Sequence, residues 1–202
     1  LPQDEAVGQL SRRQREFVDA IGRNSERLTA LANDLLPLSS LEPGSLSPAL
    51  TDVDLRDVVA SAHAVVLALI DSSHLEVTFE VPASPVVVHG DARHLERLLT
   101  NLVSNAVKFT DEGGEVHCSL RVAGRKARLV VSDTGIGIPV DEQDKLFTRF
   151  FRSSTAQEHA IPGSGLGLTI VDSIIHNHGG TITVASAHLK GSTFTVDLPL
   201  QK

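Results

Sequence analysis

The sequence predicts an α+β domain of about five strands and three main helices, preceded by a helical arm. Apolar residues recur at helical spacing in the arm and in the later helices, while short apolar runs bounded by glycine predict strands. The 202 residues are 41% hydrophobic and 21% charged. That composition is typical of a soluble globular domain with one real core, and no internal repeat or low-complexity tract interrupts it.

The arm, residues 1–42, contains a heptad pattern. One helix cannot bury such a stripe alone, so the pattern requires a partner helix. Asn24 either fixes the register of that pair or is a tolerated polar position. Pro37 should kink or end the helix near Leu36, and residues 43–53, rich in proline, glycine and serine, are predicted to be a linker. The positions of the stripe are Phe17, Ile21, Asn24, Leu28, Leu31, Leu35 and Leu38.

The α+β domain is predicted over residues 54–202. Asp54 is placed to cap a helix that continues to about Ile70, and Asp91 to cap the next helix. A shorter helix near Val140–Phe147 precedes an irregular stretch, and the third main helix spans Leu166–Asn177. The predicted strands are Leu75–Val81, Val86–Val88, Glu115–Val122, Ala127–Ser132, Thr181–Ser186 and Ser192–Leu198.

Composition disfavours several classes of function. The net charge of −7 and the 3% of aromatic residues, all Phe, argue against nucleic-acid binding. Cys118 is the only cysteine, so no disulfide forms within the chain, and cytoplasmic localisation is the natural expectation, with Cys118 in the core of a strand. The longest apolar run, Ala64–Ile70, is too short to cross a bilayer. Because methionine is absent, we expect a piece of a longer parent protein, whose missing segments could anchor it in a membrane.

Two asparagines and two glycine clusters carry the chemistry. Asn101 and Asn105 lie one turn apart on an otherwise apolar helix, where their amides need partners. Residues 132–139, SDTGIGIP, end a strand in an aspartate followed by glycines that let backbone approach a ligand. Residues 162–171, PGSGLGLTIV, open a helix whose N–H groups can receive phosphate. Each glycine cluster alone is a weak signal, and neither is a P-loop.

The ordered set of motifs is specific. Asn-x-x-x-Asn-Ala-x-Lys-Phe is followed by Asp-x-Gly-x-Gly-Ile, Leu-Phe-x-Arg-Phe, Gly-x-Gly-Leu-Gly-Leu and His-Gly-Gly. In these motifs the chain resembles the ATP-binding catalytic domain of two-component sensor histidine kinases, in the superfamily of gyrase, the Hsp90 chaperone and the MutL repair protein. The resemblance implies the Bergerat ATP-binding fold, a two-layer α/β sandwich with a mixed sheet, for residues 54–202. Residues 1–42 resemble the second helix of the dimerization and phosphotransfer hairpin.

The resemblance also implies roles for single residues. Asn105 coordinates Mg²⁺ on the ATP phosphates, and the catalytic residues are Asn101, which lines the same site, and Lys108, which reaches the phosphates. Phe109 packs by the adenine, and Asp133 accepts a hydrogen bond from its amino group. The other implied ATP-binding residues are Gly135, Gly137, Ile138, Phe147, Arg152, Gly163, Ser164, Gly165, Leu166, Gly167 and Leu168.

Plainer explanations remain open for several of these side chains. Backbone groups could satisfy Asn105, a turn could require Asp133, Lys108 could be solvated, and Phe109 could belong to the core. The phenylalanines of residues 147–152 could pack in the core or dock a nucleotide lid. The arginines of the same residues could be solvated or could contact phosphate or the hairpin. The segment RSSTAQEHAIP is predicted to be a mobile lid. The histidine of His-Gly-Gly, His178, is predicted to be structural.

Asn101 also separates two activities. Hydrolysing members of the superfamily have a glutamate at this position that activates water, and an amide cannot accept the proton. The expected activity is transfer of the γ-phosphoryl group to a histidine, and then to an aspartate of a response regulator. None of the nine histidines stands in a motif like Ser-His-Glu-Leu-Arg-Thr-Pro-Leu, so this fragment should not phosphorylate itself.

The intact protein is expected to be a homodimer, whereas the fragment can be monomeric. The alternatives are a hydrolysing ATPase, a serine kinase of the anti-sigma type and a nucleotide-binding interaction module. Asn101 disfavours the first, the helical arm disfavours the second, and the complete set of motifs disfavours the third.

Overall fold

The computed structural model describes residues 11–15, 17–18, 21–22, 50–70 and 75–201. Four helices and seven strands follow one another in residues 50–201, with a 3₁₀ helix at Val140–Lys145. The order is β1 (Thr51–Asp54), α1 (Leu55–Ile70), β2 (Glu76–Glu80), β3 (Val87–Gly90), α2 (Ala92–Phe109), β4 (Glu115–Ala123), β5 (Lys126–Asp133), α3 (Ser154–Glu158), α4 (Gly167–Asn177), β6 (Thr181–Ser186) and β7 (Ser192–Pro199).

Five strands form one mixed sheet in the order β2-β4-β5-β7-β6. Strand β2 runs parallel to β4, and the other neighbours are antiparallel. Strands β1 and β3 form a separate antiparallel pair. The predicted mixed sheet of about five strands is thereby confirmed.

The core lies between one face of this sheet and the helices α1, α2 and α4. Alternate residues of β4 and β5 are buried there, such as Cys118 and Leu129, and burial raises the pKa of the Cys118 thiol to about 12. The opposite face is polar and includes a bidentate ion pair of Arg128 with Asp197. This arrangement is the predicted two-layer sandwich.

Helix α2 forms because a buried apolar stripe coincides with a strong N-cap. The Asp91 carboxylate accepts hydrogen bonds from the backbone N–H groups of Arg93 and His94, which confirms the predicted cap. The stripe consists of Leu95, Leu98, Leu99, Leu102, Val103 and Ala106. Because that stripe faces the core, Asn101 and Asn105 are left half-buried on the flank of the helix.

The other predicted cap is also present. Asp54 accepts from the backbone N–H of Arg56 at the start of α1 and from that of Val86 in the chain leading to β3. The guanidinium of Arg56 also bonds the Asp54 carboxylate and holds its pKa at about 2.

Three predicted assignments differ from the structure in extent or type. Residues 51–53, assigned to the linker, belong to β1, because Val53 is buried and pairs with Val88. The helix predicted near Val140–Phe147 is a 3₁₀ helix that ends at Lys145. The stretch predicted to be irregular contains α3, which the hydroxyl of Ser153 caps through the N–H of Ala156.

The described part of the arm is helical at residues 12–15, 17–18 and 21–22. Phe17 and Ile21 of the heptad stripe are 60% and 68% exposed, so this part of the stripe is not buried within the chain. Asn24, Pro37 and the rest of the stripe lie outside the described residues, as do residues 43–49 of the predicted linker. Among the described helices, none has the length and apolarity needed to cross a membrane.

Candidate functional site

A cavity of about 260 Å³ opens beside α2. Its walls come from α2, the end of β5, the loop after β5, the lid segment (residues 152–162) and the start of α4. The cavity therefore gathers motifs that lie up to about seventy residues apart in the chain. The residues expected at the site that line it are Asn101, Asn105, Lys108, Phe109, Asp133, Gly137, Ile138, Arg152, Gly163, Ser164, Gly165, Gly167 and Leu168.

The two asparagines face the start of α4. The side-chain N–H of Asn101 lies 3.5 Å from the carbonyl oxygen of Gly167. A Cβ added at Gly167 would lie 4.0 Å from both Asn101 Cγ and Asn105 Nδ2. The Asn105 amide makes no hydrogen bond to any described residue, so backbone does not satisfy it there. This half-buried amide is therefore available to a ligand between α2 and α4.

The lysine reaches toward the second glycine cluster. Lys108 Nζ lies 5.8 Å from the centre of the Phe109 ring and 3.3 Å from a Cβ added at Gly163. A positive charge and the N-terminal end of the eleven-residue α4 thus lie at the same end of the cavity. Both favour anionic ligand groups there.

Asp133, which also lines the cavity, is held by backbone groups. Its Oδ1 accepts from the N–H of Gly135 at 2.9 Å and from that of Ser192 at 3.1 Å. Burial raises the pKa of this carboxyl above its ordinary value, against the lowering effect of these two bonds. No described residue bonds to Oδ2, which leaves that oxygen to a donor on a ligand.

The loop that follows Asp133 packs too closely for side chains at its glycines. A Cβ at Gly135 would lie 2.1 Å from the carbonyl oxygen of Phe109. Gly137 has a φ of +64°, and a Cβ there would lie 2.0 Å from the carbonyl oxygen of Ala187. Such distances are impossible for a substituted residue. Gly135 therefore acts by shaping the loop, and it does not itself line the cavity.

Three residues expected at the site lie beside the cavity and do not line it: Gly135, Phe147 and Leu166. Leu166 is fully buried in the core. The carbonyl of Phe147 accepts a hydrogen bond from the Thr169 hydroxyl at 3.1 Å, which fixes this segment to α4. The neighbouring Leu146 and Phe151 line the cavity in its place.

Arg152 lines the cavity but is engaged with the lid segment. Its guanidinium donates to the carbonyl oxygens of Ala156 and Ile161. The Thr155 hydroxyl is buried and lies 3.4 Å from the carbonyl of Gly137, and the N–H of Ser154 donates to Glu142. The lid segment is thus held together internally by Arg152 and is also bonded to Gly137 and Glu142.

Sequence reasoning did not assign several lining residues. Most of them are apolar or small, so even where they stand in a quoted motif, as Ala106 and Leu146 do, nothing in the sequence marks them as ligand contacts. They are Ala106, Ile136, Leu146, Ser153, Ala156, Ile161, Pro162, Ser192 and Phe194. The pairing of Ser192 with Asp133 follows from strand register, which one sequence does not reveal. His178 has the predicted structural position, since its two ring nitrogens bond backbone groups of Asp91 and Ile174.

Comparison with known proteins gives a consistent result. Residues 90–202 match the family described as histidine kinase-, DNA gyrase B-, and HSP90-like ATPase. The sensor-like histidine kinase SenX3 of Mycobacterium tuberculosis is 38% identical over 185 residues, which are 92% of this chain and 45% of SenX3. The chain spans less than half the length of the curated relatives it matches.

Two solved structures are also similar. The mycobacterial sensor histidine kinase MprB aligns with a TM-score of 0.68 and 34% identity, over 75% of this chain and 99% of that one. Full-length ShkA in complex with AMPPNP aligns with a TM-score of 0.76 and 26% identity, over 96% of this chain and 40% of that one.

Proposed function

The chain belongs to the family of histidine kinase-, DNA gyrase B- and HSP90-like ATPases, as the catalytic domain of a two-component sensor histidine kinase, and we propose that it binds Mg-ATP in the cavity beside α2 and delivers the γ-phosphoryl group to a histidine. One observation supports this most: amides, an ammonium and a carboxylate from separate motifs line one cavity. The similar ShkA was solved with AMPPNP.

In this proposal different polar groups of the cavity bind the base and the phosphates of ATP. The adenine amino group donates to Asp133, while Asn101, Asn105, Lys108 and the start of α4 receive the phosphates. Guanine has a carbonyl where adenine has the amino group, so it would present an acceptor to the carboxylate. A buried, mismatched polar pair is costly, which gives the site a preference for adenine.

The donor set at the phosphate end fits Mg²⁺. Amide oxygens are ligands that this cation accepts, together with phosphate oxygens and water, and Asn105 has no described partner of its own. Bound Mg²⁺ neutralises charge on the phosphates during transfer. Asn105 would hold the cation, and Lys108 would add a positive charge.

Asn101 sets the fate of the phosphoryl group. A water molecule needs a base to become a nucleophile, and the Asn101 amide cannot take a proton. A neutral imidazole nitrogen needs no such base: it attacks the γ-phosphorus, the bond to the β-phosphate oxygen breaks, and ADP leaves. None of the nine histidines here stands in an acceptor motif, so in this proposal the acceptor is supplied separately, on a dimerization hairpin.

We further propose the partners that this activity requires. The phosphohistidine is the donor to an aspartate of a response regulator, and the intact kinase is a homodimer formed through the helix that includes Phe17 and Ile21, whose exposure suits a helical partner. The domain works in the cytoplasm, where ATP is supplied. The relatives are longer proteins, and any membrane anchor would belong to segments outside this chain.

The deciding experiment follows γ-labelled Mg-ATP. We expect the chain to bind the nucleotide, to release little free phosphate, and to transfer label only when a polypeptide with the histidine-bearing hairpin is added. Free phosphate over many turnovers without an acceptor would identify an ATPase and contradict the role of Asn101. No binding of ATP would favour a degenerate site that acts only as an interaction module.

A further inference from the structure

Beyond the residues that touch the ligand, the structure assigns a positioning role to Ser186 and Gln143, which hold Ile138 and couple it to Asp133 so that the cavity recognises the base of its nucleotide. This inference rests on the proposed binding of ATP. We call these two side chains the Ser186–Gln143 clamp. Neither lines the cavity, and neither belongs to the motifs described above.

The clamp binds both backbone groups of Ile138, a cavity-lining residue. The N–H of Ile138 donates to the Ser186 hydroxyl at 2.8 Å, and its carbonyl accepts from Gln143 Nε2 at 3.1 Å. Gln143 Nε2 also donates to the carbonyl of Ser186 at 2.8 Å. Because both acceptors are carbonyl oxygens, only the NH₂ side of the amide can face them. The two side chains therefore form one connected unit.

The same hydroxyl connects Ile138 with the carboxylate at the base end. Ser186 Oγ donates to the carbonyl of Gly191 at 2.8 Å and lies 3.0 Å from the Ser192 hydroxyl. The N–H of Ser192 in turn donates to Asp133. Strand register explains the route, since Ser192 is paired with Ser186 on one side and with Asp133 on the other. A row across three strand ends thus joins the clamp to Asp133.

The hydroxyl and the NH₂ group of the clamp use all of their hydrogen-bonding positions. The Ser186 hydroxyl uses one donor and two acceptor positions, which is its full capacity, and both hydrogens of the Gln143 amide are used. These part-buried bonds restrict the arrangement of the loop, whereas the loss of one member leaves backbone groups without partners. The Gly135–Ile138 loop and Asp133 are thereby held in one geometry before the ligand arrives, which is how a site gains discrimination between similar bases.

The test compares the affinities of Mg-ATP and Mg-GTP by calorimetric titration. We expect Ser186→Ala and Gln143→Ala to bind ATP about tenfold more weakly, with GTP little changed, so that the preference for ATP shrinks. Ser186→Thr retains the hydroxyl and should therefore keep most of the affinity for ATP and of the preference for ATP over GTP. Thr183→Ala is the matched control, since it removes an exposed hydroxyl on the same strand that bonds no described residue.

The outcomes are distinct. Wild-type affinity and selectivity in both alanine variants would overturn the inference, and so would an equal loss for ATP and GTP, which indicates general loosening of the fold. If Ser186→Ala does not fold, Gln143→Ala, which leaves the hydroxyl network intact, decides alone. Absence of ATP binding by the unaltered chain would overturn the proposed function, and the inference with it.

Discussion

The imidazole of His178, at the end of α4, accepts a hydrogen bond from the backbone N–H of Asp91, 3.0 Å from its Nε2. The other nitrogen, Nδ1, lies 2.7 Å from the carbonyl of Ile174 and must donate to it. The ring is therefore neutral. Because Asp91 caps α2, a neutral His178 joins the helix of the candidate phosphate site to the end of α4.

This bond makes stability depend on pH. Burial is the largest effect on His178 and lowers its pKa below the ordinary value of 6.5. The hydrogen bond to Ile174 raises the pKa, nearby His94 lowers it further, and the charge of Asp91 raises it, with a net lowering. Below pH 6.5 His178 is therefore protonated more readily in the unfolded chain than in the folded chain. The free energy of unfolding decreases as the pH is lowered from about 6.5 to the folded-state pKa. We expect Tm to decrease when the pH is lowered from 7.5 to 5.5, and we expect this decrease to be smaller in His178→Gln.

The control is His188→Gln, at an exposed position, which should show the same decrease in Tm as the unaltered chain. Equal dependence of Tm on pH in all three proteins would contradict the role given to His178.

Asp133→Asn tests base recognition. The asparagine retains an oxygen for the N–H groups of Gly135 and Ser192 but replaces Oδ2 by a donor, which would face the donor of adenine. We expect ATP to bind about 10- to 100-fold more weakly, measured by calorimetric titration, with no loss of Tm, because a desolvated carboxyl is removed. Asp172→Asn, at an exposed position of α4, is the control. Unaltered affinity for ATP would show that Asp133 does not contact the base.

Asn105→Ala tests the phosphate end. We expect the unaltered chain to bind ATP at least about tenfold more tightly with Mg²⁺ than with a chelator, because in the proposed site the amide oxygen would ligate the cation. The variant should lose most of that difference and resemble the unaltered chain in chelator. Asn177→Ala, at the exposed end of α4, should behave as the unaltered chain does. A full response to Mg²⁺ in Asn105→Ala would assign the cation to other groups.

Arg152→Ala tests what holds the lid segment. Loss of the guanidinium bonds to Ala156 and Ile161 should lower the free energy of local opening by about 1.5 kcal/mol. Amide exchange over residues 153–162 should then be roughly tenfold faster. Hydrogen exchange followed by mass spectrometry measures this directly. Arg149→Ala, an exposed arginine three residues earlier, is the control. If the exchange rate does not change, the arginine is free for another role, such as contact with phosphate.

The α2 helix and both of its asparagines could be predicted from sequence, because an apolar stripe, an N-cap and an ordered motif agree at this segment. Strand β1 could not. Its four residues, TDVD, include one buried side chain, and its partner β3 lies more than thirty residues further along the chain. Such pairing depends on long-range contacts that leave little local signal.

The phenylalanines show the same limit within the site. Phe147 and Phe150 stand in the Leu-Phe-x-Arg-Phe motif and Phe151 directly follows it, but which of them faces the cavity depends on the backbone between them. Phe150 adopts a φ of +63° and is 60% exposed, and its N–H donates to the carbonyl of Gly165. This turn, fixed by the second glycine cluster, directs Phe151 and not Phe147 to the cavity.

The core position of Cys118 has a practical consequence. Its thiol is fully buried, with a pKa of about 12, so hardly any thiolate exists at neutral pH to react with maleimides. Since no other cysteine occurs in the chain, a single cysteine introduced on the surface of the lid segment would be the one group to accept a fluorophore or spin label. Whether the lid segment moves can therefore be tested by spectroscopy without first replacing a native residue.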